Sequence, residues 1–264
     1  MNEGMPLFPQ SERVVYRNNP LNEVVCQIRF PTILRVVNEI PSDFQESIRG
    51  DFPEYQEEVN SLVPAGLPPQ IVQLLSGSTM AKRHRFATRD SKFAVLLDGQ
   101  ALTFVAGDYV CWEDFSQFVF STIESFCAVY APSFLSRVGL RYQNLISEPA
   151  ESSGLNWHDL IRPELVGVLA NDDWAQNTTE LASVVKSSLG TNNTDRLIFQ
   201  YGLAELEGSS DKYFRLDFDY YVEQETEPAD AKSIIERLHG YTGAAFRWAI
   251  TERLHQALEP PPTV

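Results

Sequence analysis

Cysteine, histidine and basic charge are scarce in this chain of 264 residues, which carries three cysteines, four histidines and 21 lysines and arginines against 36 acidic residues. Cys26, Cys111 and Cys127 are odd in number and embedded in apolar runs. That pattern argues against a disulfide framework and for reduced, buried thiols of a cytoplasmic protein. His84, His158, His239 and His255 are scattered. They form no His-Glu-x-x-His, and no paired cysteine spacing accompanies them, so no zinc signature arises. With a formal net charge of -15 and a pI near 4.7, the chain would repel nucleic acid phosphate unless a concentrated basic face overcame the field. No segment approaches the roughly 20 apolar residues of a membrane span, and the first 20 residues lack a basic region followed by an apolar core. A soluble, cytoplasmic protein with no membrane partner is expected. The Gly-x-Ser-x-Gly elbow, the P-loop and the Gly-x-Gly-x-x-Gly turn are all missing. No catalytic set, metal site or cofactor is therefore assigned, and the reading leans away from an enzyme.

What is present is a globular composition: 43% hydrophobic and 22% charged residues, enough apolar surface for one large domain or two small ones. Residues 1 to 20 read as an extended arm. Val24, Cys26, Ile28 and Phe30 then alternate with Val25, Gln27 and Arg29, the period of a strand. Phe44, Ile48 and Phe52 fall at helical spacing after Ser42 and Asp43, with Pro53 ending or kinking that helix. "NSLVPAGLPPQ" reads as a loop. Strands are expected near 71 to 88, 92 to 97 and 101 to 112, the last two joined by a hairpin at Asp98, Gly99 and Gln100 whose Asp-Gly pair supplies positive φ. Phe115, Phe118, Val119, Ile123, Phe126 and Val129 define a core helix.

"SRVGLRYQNLI", residues 136 to 146, then looks like the first strand of a second unit. A short helix around "NWHDLIRPELVGVLA" follows, and strands near 180 to 190, 196 to 206 and 213 to 223. In the last, Phe214, Leu216, Phe218, Tyr220 and Val222 alternate with polar residues, so one face is buried and the other wet. Ile234, Leu238, Tyr241, Ala245 and Trp248 form a continuous stripe, read as one closing helix of roughly 40 Å. The expected class is α+β: two similar β-α-β-β-β-α units, mostly antiparallel in sheet, over 21 to 134 and 135 to 259, with a tail at 260 to 264. The repeat rests on the apolar pattern and on Arg29 against Arg141.

"PLNEVVCQIRFP", "DFQESIRGDFP", "RVGLRYQNLI" and "FRWAITERLHQAL", spread in this order over nearly the whole chain, resemble an uncharacterised, sporadically distributed prokaryotic family of about this length, known mainly through a TIGR protein-family model. The resemblance carries over no catalytic residues. Its scattered distribution implies an accessory or mobile-gene role, such as a defence, toxin–antitoxin or immunity setting.

Three groups of residues are candidates for function. Arg29 and Arg141, with Gln143 and Asn144, could line a central pocket for an anion or peptide; the arginines could equally pair with Asp217, Asp219 or Glu205. Lys82, Arg83, Arg85 and Arg89, around His84, form the one basic cluster. It reads either as a contact for an anion or acidic partner or as protection of an edge strand. Asp217 and Asp219, two apart on a strand, share a face and read as a cation- or proton-sharing pair or as members of a surface ion-pair network. His158 with Asp159, and "NDDW" at 171 to 174, offer metal donors or simply a polar loop. The leading functional reading is a non-enzymatic interaction or regulatory protein that recognises another protein through its exposed sheet face or acidic surface; an antitoxin or immunity component that neutralises a basic partner is one version. Binding of a small anionic ligand, or an enzyme with an unfamiliar acidic site, are the alternatives. Oligomeric state is left open.

Overall fold

The computed structural model describes residues 7–9, 14–61, 80–107, 109, 111–150, 154–189, 194–205 and 211–260. The chain is α+β, with nine described strands in antiparallel sheet. It divides into two compact units, one made of residues 25–138 and 225–231, the other of residues up to 24, 139–224 and from 232 onward.

The 25–138 unit runs from β1 (Leu21–Arg29) through α1 (Leu34–Asn38), α2 (Ser42–Ile48), β2 (Glu54–Ser61), β3 (Met80–Ala87), β4 (Phe93–Asp98) and β5 (Ala101–Ala106) to α3 (Trp112–Tyr130). The hydrogen-bonded strand order is β2-β3-β4-β5-β1. Val24, Cys26, Ile28 and Phe30 are all buried, as their alternation requires. Phe126 of α3 meets Phe30 at 4.7 Å between ring centroids, and Phe44 of α2 meets Phe86 edge-on at 5.5 Å. Aromatic pairs of this geometry add to the transfer free energy of the rings themselves. Of the two outcomes left open at Pro53, an ended or a kinked helix, residues 54 to 61 follow the first. Instead of continuing the helix beyond Pro53 they form β2, antiparallel to β3 from Glu54 opposite Ala87 to Ser61 opposite Met80. The helix has already ended at Ile48, five residues before Pro53, and Glu57 and Glu58 of β2 find basic neighbours on β3. Of the expected 71-to-88 strand, 71–79 lie outside the described residues, as does most of the "NSLVPAGLPPQ" loop.

The hairpin between β4 and β5 forms, with Asp98 opposite Ala101, but on a different chemistry from the expected positive φ. No positive φ occurs at Gly99. The Asp98 carboxylate accepts from the Gln100 N–H at 2.9 Å, and a Cβ at position 99 would lie 2.5 Å from a Val37 methyl. Glycine is there for room.

The 139–224 unit contains β6 (Arg137–Ser147), α4 (Trp157–Leu160), α5 (Pro163–Val166), a 3-10 turn over Gly167–Ala170, α6 (Asp172–Asn177), β7 (Ala182–Leu189), β8 (Asp195–Glu205), β9 (Lys212–Val222), α7 (Ala231–His239), α8 (Thr242–Ala249) and α9 (Glu252–Ala257). Strand order is β6-β9-β8-β7. The alternating residues Phe214, Leu216, Phe218, Tyr220 and Val222 are buried, and Phe218 stacks on Phe199 of β8 at 4.4 Å and 2°. The connection between the strands expected at 196 to 206 and 213 to 223 falls almost wholly outside the described residues.

The closing helix is broken twice. At Gly240 the ladder tightens, its N–H donating to both Glu236 and Arg237 carbonyls. At Ile250 the backbone becomes extended and bridges to Ile161. Flanking bonds, from the Arg162 N–H to the Ala249 carbonyl and from the Thr251 N–H to the Leu160 carbonyl, satisfy backbone groups that a helix end would leave open. The Thr251 hydroxyl then caps α9 by accepting from the Leu254 N–H. The apolar stripe still packs inward at Ile234, Leu238 and Ala245. Periodicity alone does not register a two-residue interruption that keeps the stripe in phase. Among the described residues, no helix is long and apolar enough to cross a membrane.

Candidate functional site

Arg141 of β6 and Asp217 of β9 form one ion pair. The guanidinium donates through Nε to Oδ1 at 2.7 Å and through Nη2 to Oδ2 at 2.5 Å. Asp217 is only 1% exposed, so a bidentate cation is what makes a carboxylate tolerable there. Those hydrogen bonds push the Arg141 pKa up, against burial, which lowers it; the charges of Asp217, Glu23 and Asp219 add to the rise. The neighbours expected beside Arg141 have separate employment. Gln143 accepts from the Asn22 amide at 3.0 Å, and Asn144 is buried, donating to the Leu216 carbonyl at 3.2 Å. Asp219 is half-buried, opposite Ile198 in register. Arg29, in the 25–138 unit, is exposed at the end of β1.

The basic cluster lies on β3, an inner strand between β2 and β4, so protection of an edge does not describe it. Its partner strand supplies the opposite charge: Lys82 reaches Glu57 at 3.4 Å and Arg85 reaches Glu58 at 3.9 Å, while Arg83 faces Glu58 in register. Arg89 is exposed. His84 is buried, with its Nδ1 3.1 Å from the Tyr55 hydroxyl. Burial lowers its pKa, against the pull of Glu57. Cys26 is likewise buried, which pushes its thiol up to about 12.

One polar centre escaped the sequence reading. Asp195, at the start of β8 and 4% exposed, accepts two bonds from Arg237 of α7, each 2.9 Å, and a third of 2.9 Å from the Tyr241 hydroxyl. Burial raises the Asp195 pKa, and the bonds from Arg237 and Tyr241 outweigh it and hold the carboxyl below its usual range. Burial and that carboxylate push Tyr241 up to about 12. All of its groups are mutually satisfied, which is the chemistry of a clamp.

The second feature is α6. "NDDW" is a helix start: the Asn171 side chain accepts from the Trp174 N–H, with Asp172 and Asp173 in the first turn. An Asn-Asp-Asp run before an apolar residue carries that cap signal. The helix ends with Thr178, whose hydroxyl donates to the Trp174 carbonyl at 2.6 Å. Trp174 is left 60% exposed over an open cleft lined by Asp173, Asn177, Thr178, Thr179 and Glu180. Val168 before it, and Val184 and Val185 after it, are also exposed. No protein-family model matches the chain, and no curated protein matches it.

Proposed function

We propose that this chain is a non-enzymatic interaction or regulatory protein that recognises a basic segment of another protein, in the manner of an accessory, antitoxin or immunity component of a defence or mobile-gene system. The observation that supports the reading is Trp174. An exposed indole flanked by Asp173 and Glu180 presents the chemistry that a lysine or arginine seeks, a π face beside carboxylates. The arginine-pocket alternative draws less support, because the Arg141 guanidinium already holds Asp217. Internal duplication belongs to the same reading. In each unit the first strand lies beside the last, β1 beside β5 and β6 beside β9, and a repeated connectivity of that kind is what a duplication leaves behind.

The test is recovery of a tagged full chain from its own host after gentle crosslinking, with mass spectrometry of what accompanies it. A stoichiometric basic partner, lost on Trp174→Ala and on Asp173→Lys, is the expected result. A chain recovered alone, or a partner indifferent to both substitutions, would refute the reading.

A further inference from the structure

We infer that β7 is a self-pairing edge, the seat of a second copy of this chain. Its inner side is taken by β8, from Ala182 opposite Gly202 to Leu189 opposite Asp195. Among the described residues no strand pairs with its outer side. An unpaired edge presents a row of backbone donors and acceptors to any strand that fits. The terminal strand of the other unit, β2, carries Glu54, Glu57 and Glu58, so a second β2 would meet like charges there. β7 carries no acidic residue and one charge, Lys186, and its Val184 is 59% and Val185 42% exposed.

The occupant follows from symmetry. Along Ala182 to Ser188 the burial sequence is exposed, half-buried, three exposed, half-buried, exposed, and it reads the same in either direction about Val185; Leu189 beyond it is buried. Antiparallel pairing about a twofold axis at Val185 puts Ser183 opposite Ser187 of the second copy and Ala182 opposite Ser188. Val185 then faces its own counterpart. Val184 falls opposite Lys186, whose aliphatic stem covers it while the ammonium stays in water. The ends match as well. Glu180 precedes the strand at one end, and Arg196, hydrogen-bonded to the Ser188 hydroxyl, stands at the other. In the antiparallel pair the acidic end of each copy meets the basic end of its mate. That is the self-complementarity an isologous interface demands.

A single added strand is a small interface, so a weak dimer is expected, with Kd of about 10–100 µM. Sedimentation of the full chain over that range tests it. Val184→Lys sets two symmetry-related lysine pairs face to face and is expected to weaken the dimer at least about tenfold. Glu180→Arg and Arg196→Glu each weaken it, and the double swap restores it. Circular dichroism and melting temperature, unchanged in the Val184→Lys chain, exclude loss of fold. A chain monomeric throughout, a dimer indifferent to Val184→Lys, or a double swap no better than its parents would overturn the inference. The two readings share Glu180, so capture of a partner is scored on Trp174→Ala and Asp173→Lys alone, substitutions that lie outside β7.

Discussion

Replacing Asp195 by asparagine keeps the volume of the side chain and removes its charge, which makes it a direct probe of the clamp between β8, α7 and α8. The carboxylate receives two bonds from Arg237 and one from Tyr241. An asparagine presents only one oxygen to these donors, and its own N–H groups oppose the rest. Leaving a buried ion without its partner costs about 3–5 kcal/mol. Here the Arg237 side chain is 46% exposed and turns to water for part of its solvation, so about 2–3 kcal/mol is expected. Differential scanning calorimetry at neutral pH would register it as a fall in Tm of roughly 5–8 °C. The pH dependence is the sharper measurement. A carboxyl held below its ordinary value stabilises the fold above that value and loses its contribution as pH falls through the depressed one. The gap between the two proteins is therefore constant at neutral pH and closes in acid, below pH of about 4. A gap smaller than about 0.5 kcal/mol at neutral pH, or one that persists undiminished in acid, would refute the account.

At the alkaline side, Tyr241→Phe is expected to cost about 1.5 kcal/mol. Because the Tyr241 pKa is raised to about 12, that contribution is full below the ordinary tyrosine value and lost as pH rises toward 12; urea titrations at pH 8 and above would follow it. Ala131 closes α3 in the left-handed region at φ 44°, so Ala131→Gly is expected to stabilise by about 1 kcal/mol in the same titrations. Gly202, at φ +147° opposite Ala182, leaves no room for a Cβ against the Leu181 carbonyl. Gly202→Ala is expected to cost about 1–3 kcal/mol and to speed amide exchange along β7. The buried Cys26 thiol should resist alkylation in the native protein and react only on denaturation, as mass spectrometry of iodoacetamide adducts would show.

Alternation carried the strands: every residue of Val24, Cys26, Ile28 and Phe30, and of Phe214 through Val222 in steps of two, is buried as its spacing implies. What alternation cannot register is a strand whose alternate residues are charged on both sides. β2, with the sequence Glu-Tyr-Gln-Glu-Glu-Val-Asn-Ser, is stabilised by the basic strand beside it, information that lies more than twenty residues away. The closing helix failed for the opposite reason, since a stripe in phase across Gly240 conceals the first break, and the stripe stops at Trp248, short of the second at Ile250. Among candidate residues, the pairing of Arg141 with Asp217 was legible as a strand arginine in need of an anion, but that the carboxylate and not the cation is the buried member was not. Asp195 was not, because nothing near it in sequence marks it for burial, and its partners stand 42 and 46 residues on. Around Trp174 the local sequence signals only the carboxylates before it, and exposure of an indole is not legible from local pattern.

The chain ends of the 139–224 unit are clasped together. The Arg17 N–H donates to the Glu259 carbonyl and the Asn18 N–H to the Leu258 carbonyl, and Tyr16 meets His255 at 2.8 Å. During synthesis, then, the first strand's leading segment must wait for residues made some 240 positions later, while residues 25–138 are all available early and lack only the short return at 225–231, where Leu135 and Thr226 bridge. Folding in chain order thus favours the inserted unit, while the unit that brackets it in sequence closes only once residues 255–259 have been made. Removal of residues from His255 onward would leave the 25–138 unit largely whole and the other unit without its fastening.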